Sequence, residues 1–292
     1  MIRWLPFLRN MSKAAGKGSF FPSKGPVSPA PGGTQDEQPR ADLMTRLQAE
    51  RGWFDFSQHS VPIAGLTETL TILHLTDVHL RDVDEDLYAL CHLMSQARPD
   101  LLVITGDVVT RGWTEAAVHR FLAALPPARL GRFAVMGNWE YWAGADLPTW
   151  RPILAQHGVT LLHETWTDLG PITLAGTDDQ LAGTPDPDAL LAALPTDRPA
   201  VMLSHSPAFF PTLARDPVRL VLSGHSHGGQ VRLPLLGALW APRGTDRYLA
   251  GWFEQDGCHL FVSRGLGWSV APLRLHCPPE LAWITLTPAP SL

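Results

Sequence analysis

Seven residues able to offer an oxygen or an imidazole nitrogen fall just past apolar runs. Asp77 and His79 follow TILHLT, Asp107 follows LLVITG, Asn138 follows FAVMG, His205 follows AVMLS, and His225 and His227 follow RLVLSG. Singly, each has an ordinary explanation, because an Asp after a strand usually caps a helix or closes a turn. Jointly they make a ligand set. Carboxylate, amide oxygen and imidazole suit Zn, Mn or Fe, and no thiolate is present among them to select a softer metal. His225 and His227 are two residues apart and would point to opposite sides of a regular strand. Joint binding by that pair requires an irregular turn, which Gly224, Gly228 and Gly229 permit.

The apolar runs that must position these residues alternate with helical patterns. Strands are expected at 69–75, 101–105 and 132–136, with helices at 84–97 and 114–125 between them, a βαβ rhythm with buried parallel strands. The second half is richer in strands (VTLL, PITLAG, PAVMLSH, VRLVLSGH, HLFVSRG and LAWITL), with helices expected at 148–157 and 186–194. The architecture predicted is α/β, two packed sheets flanked by helices. Open sheets of this kind place their sites at the carboxyl ends of strands, which would bring all seven residues to one edge.

Composition narrows the function. With 45% hydrophobic and 17% charged residues the chain reads as globular, and no run reaches the 18 or more apolar residues of a membrane-spanning helix. Of 23 basic residues, five (Arg3, Arg9, Lys13, Lys17 and Lys24) lie in residues 1–24, where there is no acid; the remainder holds 18 basic against 28 acidic, a net charge of −10. An acidic body argues against general nucleic-acid binding, which depends on neutralising phosphates. Residues 1–40 read as a flexible basic tail rich in Pro and Gly, and residues 41–292 as the folded domain, with a short helix near 41–50 and the core from about residue 57. Trp4, Leu5, Phe7 and Leu8 among the basic residues give the tail a means of touching an anionic membrane; an unstructured start is the plainer alternative. Cys91, Cys258 and Cys277 lack paired spacing and read as buried or idle thiols in a reducing compartment. A monomer is expected, cytoplasmic or peripheral to the inner face of the membrane.

The joint order DxH, GD, GN, H and GHxH resembles the calcineurin-like metallophosphoesterase superfamily, over essentially all of residues 70–288. HLTDVHL, SHSPAFFP, GHSHGGQVRLPLLGAL, VSRGLG and PLRLHCPPELAWITL are further similar to a bacterial subfamily of membrane-associated phosphoesterases, the YkuE- and YaeI-like proteins. The resemblance implies a four-layer αββα sandwich with two packed mixed sheets and two divalent ions, Mn, Zn or Fe. By motif, Asp77, His79 and His227 would take one ion, Asn138, His205 and His225 the other, and Asp107 would bridge them. Two ions about 3.5–4 Å apart lower the pKa of a bridging water toward about 7 and share the charge developing at phosphorus. Asp107, Asn138, Trp139 and His205 are the expected catalytic positions, and Trp139, Glu140 and Tyr141 the expected substrate contacts.

One departure from the family pattern matters. A histidine usually follows the GN asparagine and is held by an aspartate three residues after the GD aspartate; here those positions are Trp139 and Thr110. Both halves of the pair are missing together, which reads as a variant site rather than a damaged one. Indole cannot deliver a proton near neutrality. The expected substrate is therefore a phosphodiester or pyrophosphate with an acidic leaving group, with a lipid-linked one among those the resemblance allows. Arg111, His119 and Glu140 are the alternative acids. Trp142 is expected in the core, and VRLPLLGALWAP either buries against the sheet or receives a lipid chain. Two other functions fit less closely: a metal-dependent protein that binds phosphorylated ligands without turnover, and a cyclic-nucleotide or nucleic-acid phosphodiesterase.

Overall fold

The computed structural model describes residues 54–290, save 83–86, 88–89, 92–93 and 271. The expected tail of residues 1–40, its membrane contact and the short helix near 41–50 lie outside the described residues. Two mixed six-stranded sheets carry the fold. In the first the order is β1 (Asp55–Ile63), β14 (Glu280–Pro288), β2 (Leu70–Leu75), β3 (Leu101–Thr105), β4 (Gly131–Val135) and β5 (Val159–Leu161). In the second it is β12 (Gly251–Gln255), β13 (Cys258–Val262), β9 (Val218–Ser223), β8 (Ala200–Leu203), β7 (Thr173–Gly176) and β6 (Thr165–Asp168).

Strand periodicity explains the layering. One set of alternate residues, Ile72, Val103, Val135 and Ile284, meets Leu174, Leu203, Leu222 and Phe261 of the other sheet in a shared core. The opposite set in the second sheet, including Met202, Val221 and Leu260, packs against Leu190 of α4 (Pro187–Ala192) and Phe210 and Leu213 of α5 (Phe210–Leu213). On the outer side of the first sheet Leu73, Leu102 and Ile104 are equally buried, as are Val118 and Phe121 of α1 (Glu115–Ala123) and Trp150 and Leu154 of α3 (Leu147–Gln156). Each such Leu, Ile or Phe removed from water contributes about 1.5–3 kcal/mol before ordering costs. Within the helix expected at 84–97, the described positions Leu87, Leu90, Cys91 and Met94 are helical and buried, spaced as one apolar face.

Local chemistry sets the helix starts. Thr114 accepts from the amide of Ala117 ahead of α1, Asp146 from that of Thr149 ahead of α3, and Asp186 from that of Ala189 ahead of α4. In the two six-stranded sheets, the three strands not expected from sequence, β1, β6 and β12, are all edges. β1 alternates exposed and covered residues, so it lacks the continuous apolar run of a central strand.

Two expectations need correction. Trp142, expected in the core, is 51% exposed. The segment after His225 and His227 does not bury against a sheet; it forms a small hairpin of β10 (Arg232–Leu233) and β11 (Gly237–Ala238) whose tip projects outward. The three cysteines are buried free thiols. Among the described residues no helix is long and apolar enough to cross a membrane.

Candidate metal centre

β2, β3 and β4 run parallel in one sheet, and β7, β8, β9 and β13 run parallel in the other. Their carboxyl ends therefore open on a common edge, where the loops lace together. The amides of Asp77 and His79 donate to the carbonyls of Gly106 and Asp107 at 3.1 and 3.0 Å, and the amide of Gly224 donates to the His205 carbonyl at 3.1 Å. The amide of His225 donates to Oδ2 of Asp77 at 2.9 Å, joining the two sheets' loops directly. Close approach is possible because of glycine: a methyl group at Gly137 would overlap the Asp107 carboxylate, and one at Gly224 would overlap Thr76 and Asp77.

Asp77, His79, Asp107, His225 and His227 all adopt positive φ, between 51° and 66°. This left-handed conformation costs an L-residue about 1–2 kcal/mol. Five instances at one edge are strain held by the surrounding fold, of the kind found where side chains must be aimed.

The aim is inward. One carboxylate oxygen or imidazole nitrogen from each of Asp77, His79, Asp107 and His227 lies within 4.8 Å of the others, and so do those of Asp107, His205 and His225. Nε2 of His79 and Nε2 of His227 are 3.0 Å apart, and Nε2 of His227 is 3.3 Å from Oδ1 of Asp77. Nε2 of His205 lies 3.2 Å from both Oδ1 of Asn138 and Oδ2 of Asp107.

The ring partners decide the tautomers. Nδ1 of His205 donates to the Thr105 carbonyl at 2.7 Å, and Nε2 of His225 donates to the Arg243 carbonyl at 2.6 Å. In neutral rings that leaves Nε2 of His205 and Nδ1 of His225 as lone-pair atoms facing each other at 3.1 Å. Facing lone pairs beside a carboxylate call for a cation, and the residues present fit a divalent ion of intermediate softness.

The electrostatics agree. Burial lowers His79 and His225 to about 4 and His227 well below the usual value, so all three are neutral, the ligating form. Burial also opposes charge on His205, but Asp107, Asp77 and Asp179 outweigh it and raise its pKa well above 6.5. Burial, with Asp107 adding to it, pushes Asp77 up to about 7. The cluster thus holds more negative charge than its surroundings neutralise.

Other expected residues have different roles. Glu140 is not a substrate contact or an available acid. It is fully buried, and its carboxylate accepts from the amides of Asp107 (2.9 Å), Val108 (2.6 Å) and Gly137 (2.8 Å), bracing both turns beneath the cluster. Burial and then Asp107 push its carboxyl up to about 8, against the pull of those amides. Tyr141 spends its hydroxyl on Oδ1 of Asp178 at 2.5 Å. His119 lies outside the clusters, 2.8 Å from His157, and Arg111 is exposed. Thr110 is buried, its amide donating to the Leu80 carbonyl.

Trp139 is a neighbour of the cluster. It is the second residue of the short helix α2 (Asn138–Trp142), its amide donates to Oδ1 of Asp107 at 2.8 Å, and its ring stands edge-on to that of His79, 5.8 Å between centres. Sequence reasoning missed Arg274, whose guanidinium reaches 3.3 Å from Nδ1 of His227 while donating to the Gly267 and Arg264 carbonyls. It lies 47 residues from His227, within the PLRLHCPPELAWITL stretch, where no residue spacing announces such a contact.

Comparison with known proteins places this edge in a family. Residues 70–229 match the calcineurin-like phosphoesterase family. The chain is 31% identical over 225 residues to the uncharacterized metallophosphoesterase YkuE of Bacillus subtilis (strain 168), covering 74% of this chain and 78% of that one. It is 31% identical over 247 residues to the phosphodiesterase YaeI of Escherichia coli (strain K12), covering 81% and 90%. The crystal structure of TT1561 from Thermus thermophilus overlaps 68% of this chain and 90% of its own, at a TM-score of 0.43 and 17% identity. The matched span runs from the first residue of β2 to the glycines after His227, and so takes in all seven inward-facing side chains: the chain belongs to the calcineurin-like phosphoesterases.

Proposed function

We propose that this chain hydrolyses a phosphodiester or pyrophosphate whose leaving group departs with little or no help from a proton, using two divalent ions, Mn, Zn or Fe. Asp77, His79 and His227 would hold one ion, Asn138, His205 and His225 the other, and Asp107 would serve both. Bound there, the ions would supply Lewis acidity and a water ionised near neutral pH. The protein's own part is orientation. Oδ1 of Asp107 is occupied by the Trp139 amide, which turns Oδ2 toward His79 and His205, 3.7 and 3.2 Å away. The carbonyls of Thr105 and Arg243 fix the ring faces that His205 and His225 turn inward.

The observation that carries the leaving-group claim is Trp139 beside His79 at the position where the family pattern has a histidine. Losing a general acid typically costs 10²- to 10⁴-fold, and the loss depends on what departs. An alkoxide, whose conjugate acid is about as weak as water, needs the proton; a departing phosphate, with a second pKa of about 6, does not. The partly exposed indole serves as a wall that excludes water from one side and can stack on a flat group.

The test is a series of phosphodiesters with leaving groups of graded pKa, turned over by the Mn²⁺-loaded protein. A steep fall in rate with rising leaving-group pKa is expected; a flat dependence removes the claim. In Trp139→His/Thr110→Asp the gain should reach about 10²-fold for the poorest leaving groups and vanish for the best. The same Trp139 supports a second reading, binding of a phosphorylated ligand without turnover. Bound metal with no hydrolysis above that of Asp107→Asn would favour it.

A further inference from the structure

Residues 233–242, LPLLGALWAP, are ten in a row without a charge, and an arginine stands at each end, Arg232 and Arg243. In the fold they form most of the β10–β11 hairpin and the irregular segment leaving it. Leu235 is 99% exposed, Leu236 75%, Leu239 59% and Trp240 54%. Leu235 also has φ of 66°, at a turn position where glycine or asparagine sits without strain. Folding gains nothing from either feature. A leucine pair held in water on a strained turn needs another explanation, and four large apolar side chains on one small projection exceed the scattered exposure of ordinary surfaces.

A second loop flanks the first, uncharged in sequence from Ser269 to Leu273. Val231 pairs with Leu275, and the amide of Ser269 donates to Oε1 of Gln230, which fastens Ser269 and Leu275 alongside the hairpin base. Val270 on that loop is 78% exposed. Arginines flank the apolar run in sequence. Residues 230–250 carry Arg232, Arg243 and Arg247 against the single acid Asp246, on a chain whose net charge is −5. An apolar tip with tryptophan beside it and arginines at its base matches the depth profile of a bilayer surface: acyl region, interface, then phosphates.

The hairpin is tied to the metal centre. The Arg243 carbonyl accepts from Nε2 of His225, and a methyl group at Gly229 would overlap Ala238. We propose that the hairpin inserts into the surface of an anionic bilayer and so holds the centre against the phosphates of an amphiphilic substrate. Docking stands on the hairpin alone; the substrate class rests on the hydrolysis proposed above.

The experiment uses the full chain with vesicles of phosphatidylcholine, alone or mixed with phosphatidylglycerol, and compares the parent with Leu235→Glu/Leu236→Glu. Partition onto the mixed vesicles should fall by about 30-fold or more in the double variant. Arg243→Ala should weaken it about fivefold on the mixed vesicles and leave binding to the neutral ones unaltered. Brominated lipid should quench a tryptophan signal that disappears in Trp240→Phe. Hydrolysis of bis(p-nitrophenyl) phosphate and the thermal unfolding of the double variant should match the parent. Equal partition of parent and variant, or none by either, overturns the proposal. So does a self-association by the parent that the double variant loses, since the tip would then belong between two copies of the chain. A parent that binds vesicles but hydrolyses nothing would defeat the hydrolysis reading and leave docking intact.

Discussion

The two clusters that share Asp107 are backed differently. Behind His205 and His225 stand backbone carbonyls, of Thr105 and Arg243, which accept the outer ring proton and make the inner nitrogen a better donor to metal. Behind His227 stands Arg274, and Nδ1 of His79 has no hydrogen-bond partner among the described residues. Guanidinium only donates. If Nδ1 of His227 accepts from it, the ring proton falls on Nε2, the atom turned toward Asp77 and His79; if Nδ1 keeps its proton, a cation faces it. Either arrangement weakens His227 as a ligand. The difference teaches that similar ligand lists need not give similar affinities: under the proposed assignment, the His205/His225 cluster holds its ion more tightly.

The largest effect should come from the residue both clusters share. Asp107→Asn is expected to lower hydrolysis by about 10³-fold or more, with metal content by mass spectrometry falling in both clusters. If one ion is retained at full strength, Asp107 does not bridge. Next come the halves themselves. After dialysis against a weak chelator, His79→Ala should keep one ion per chain and His205→Ala none; the reverse order would break the comparison. The parent protein titrated with a stronger chelator should lose its two ions in separate steps, about 10- to 100-fold apart in affinity, and a single step would remove the asymmetry. Glu140→Gln is the smallest and most even change. An amide nitrogen would meet backbone N–H groups, at a cost of about 1–3 kcal/mol in unfolding free energy, and both clusters should weaken alike.

What sequence could reveal follows the same physics. Central strands such as β2, β3 and β9 were legible because they are covered on both faces and read as largely apolar runs. The seven inward residues were legible because they follow those runs, beside glycines whose reason is now visible in the overlap a methyl group at Gly137 or Gly224 would create. The edge strands β1, β6 and β12 were not, since exposed faces carry polar residues. Glu140 looked like a pocket residue because it follows Trp139; only the fold shows its oxygens turned under the turns, onto three amides. The exposed hairpin reversed an ordinary rule, as runs of leucine usually go inside.

The position of β14 has a consequence for how the protein is made. It sits between β1 and β2, so residues 280–288 hold in register the strand that delivers Asp77. During translation β2 emerges early and waits with an open edge until that late segment leaves the ribosome, a long-range pairing of the slow kind. A chain halted before residue 280 therefore exposes β2 to pairing with neighbouring nascent chains.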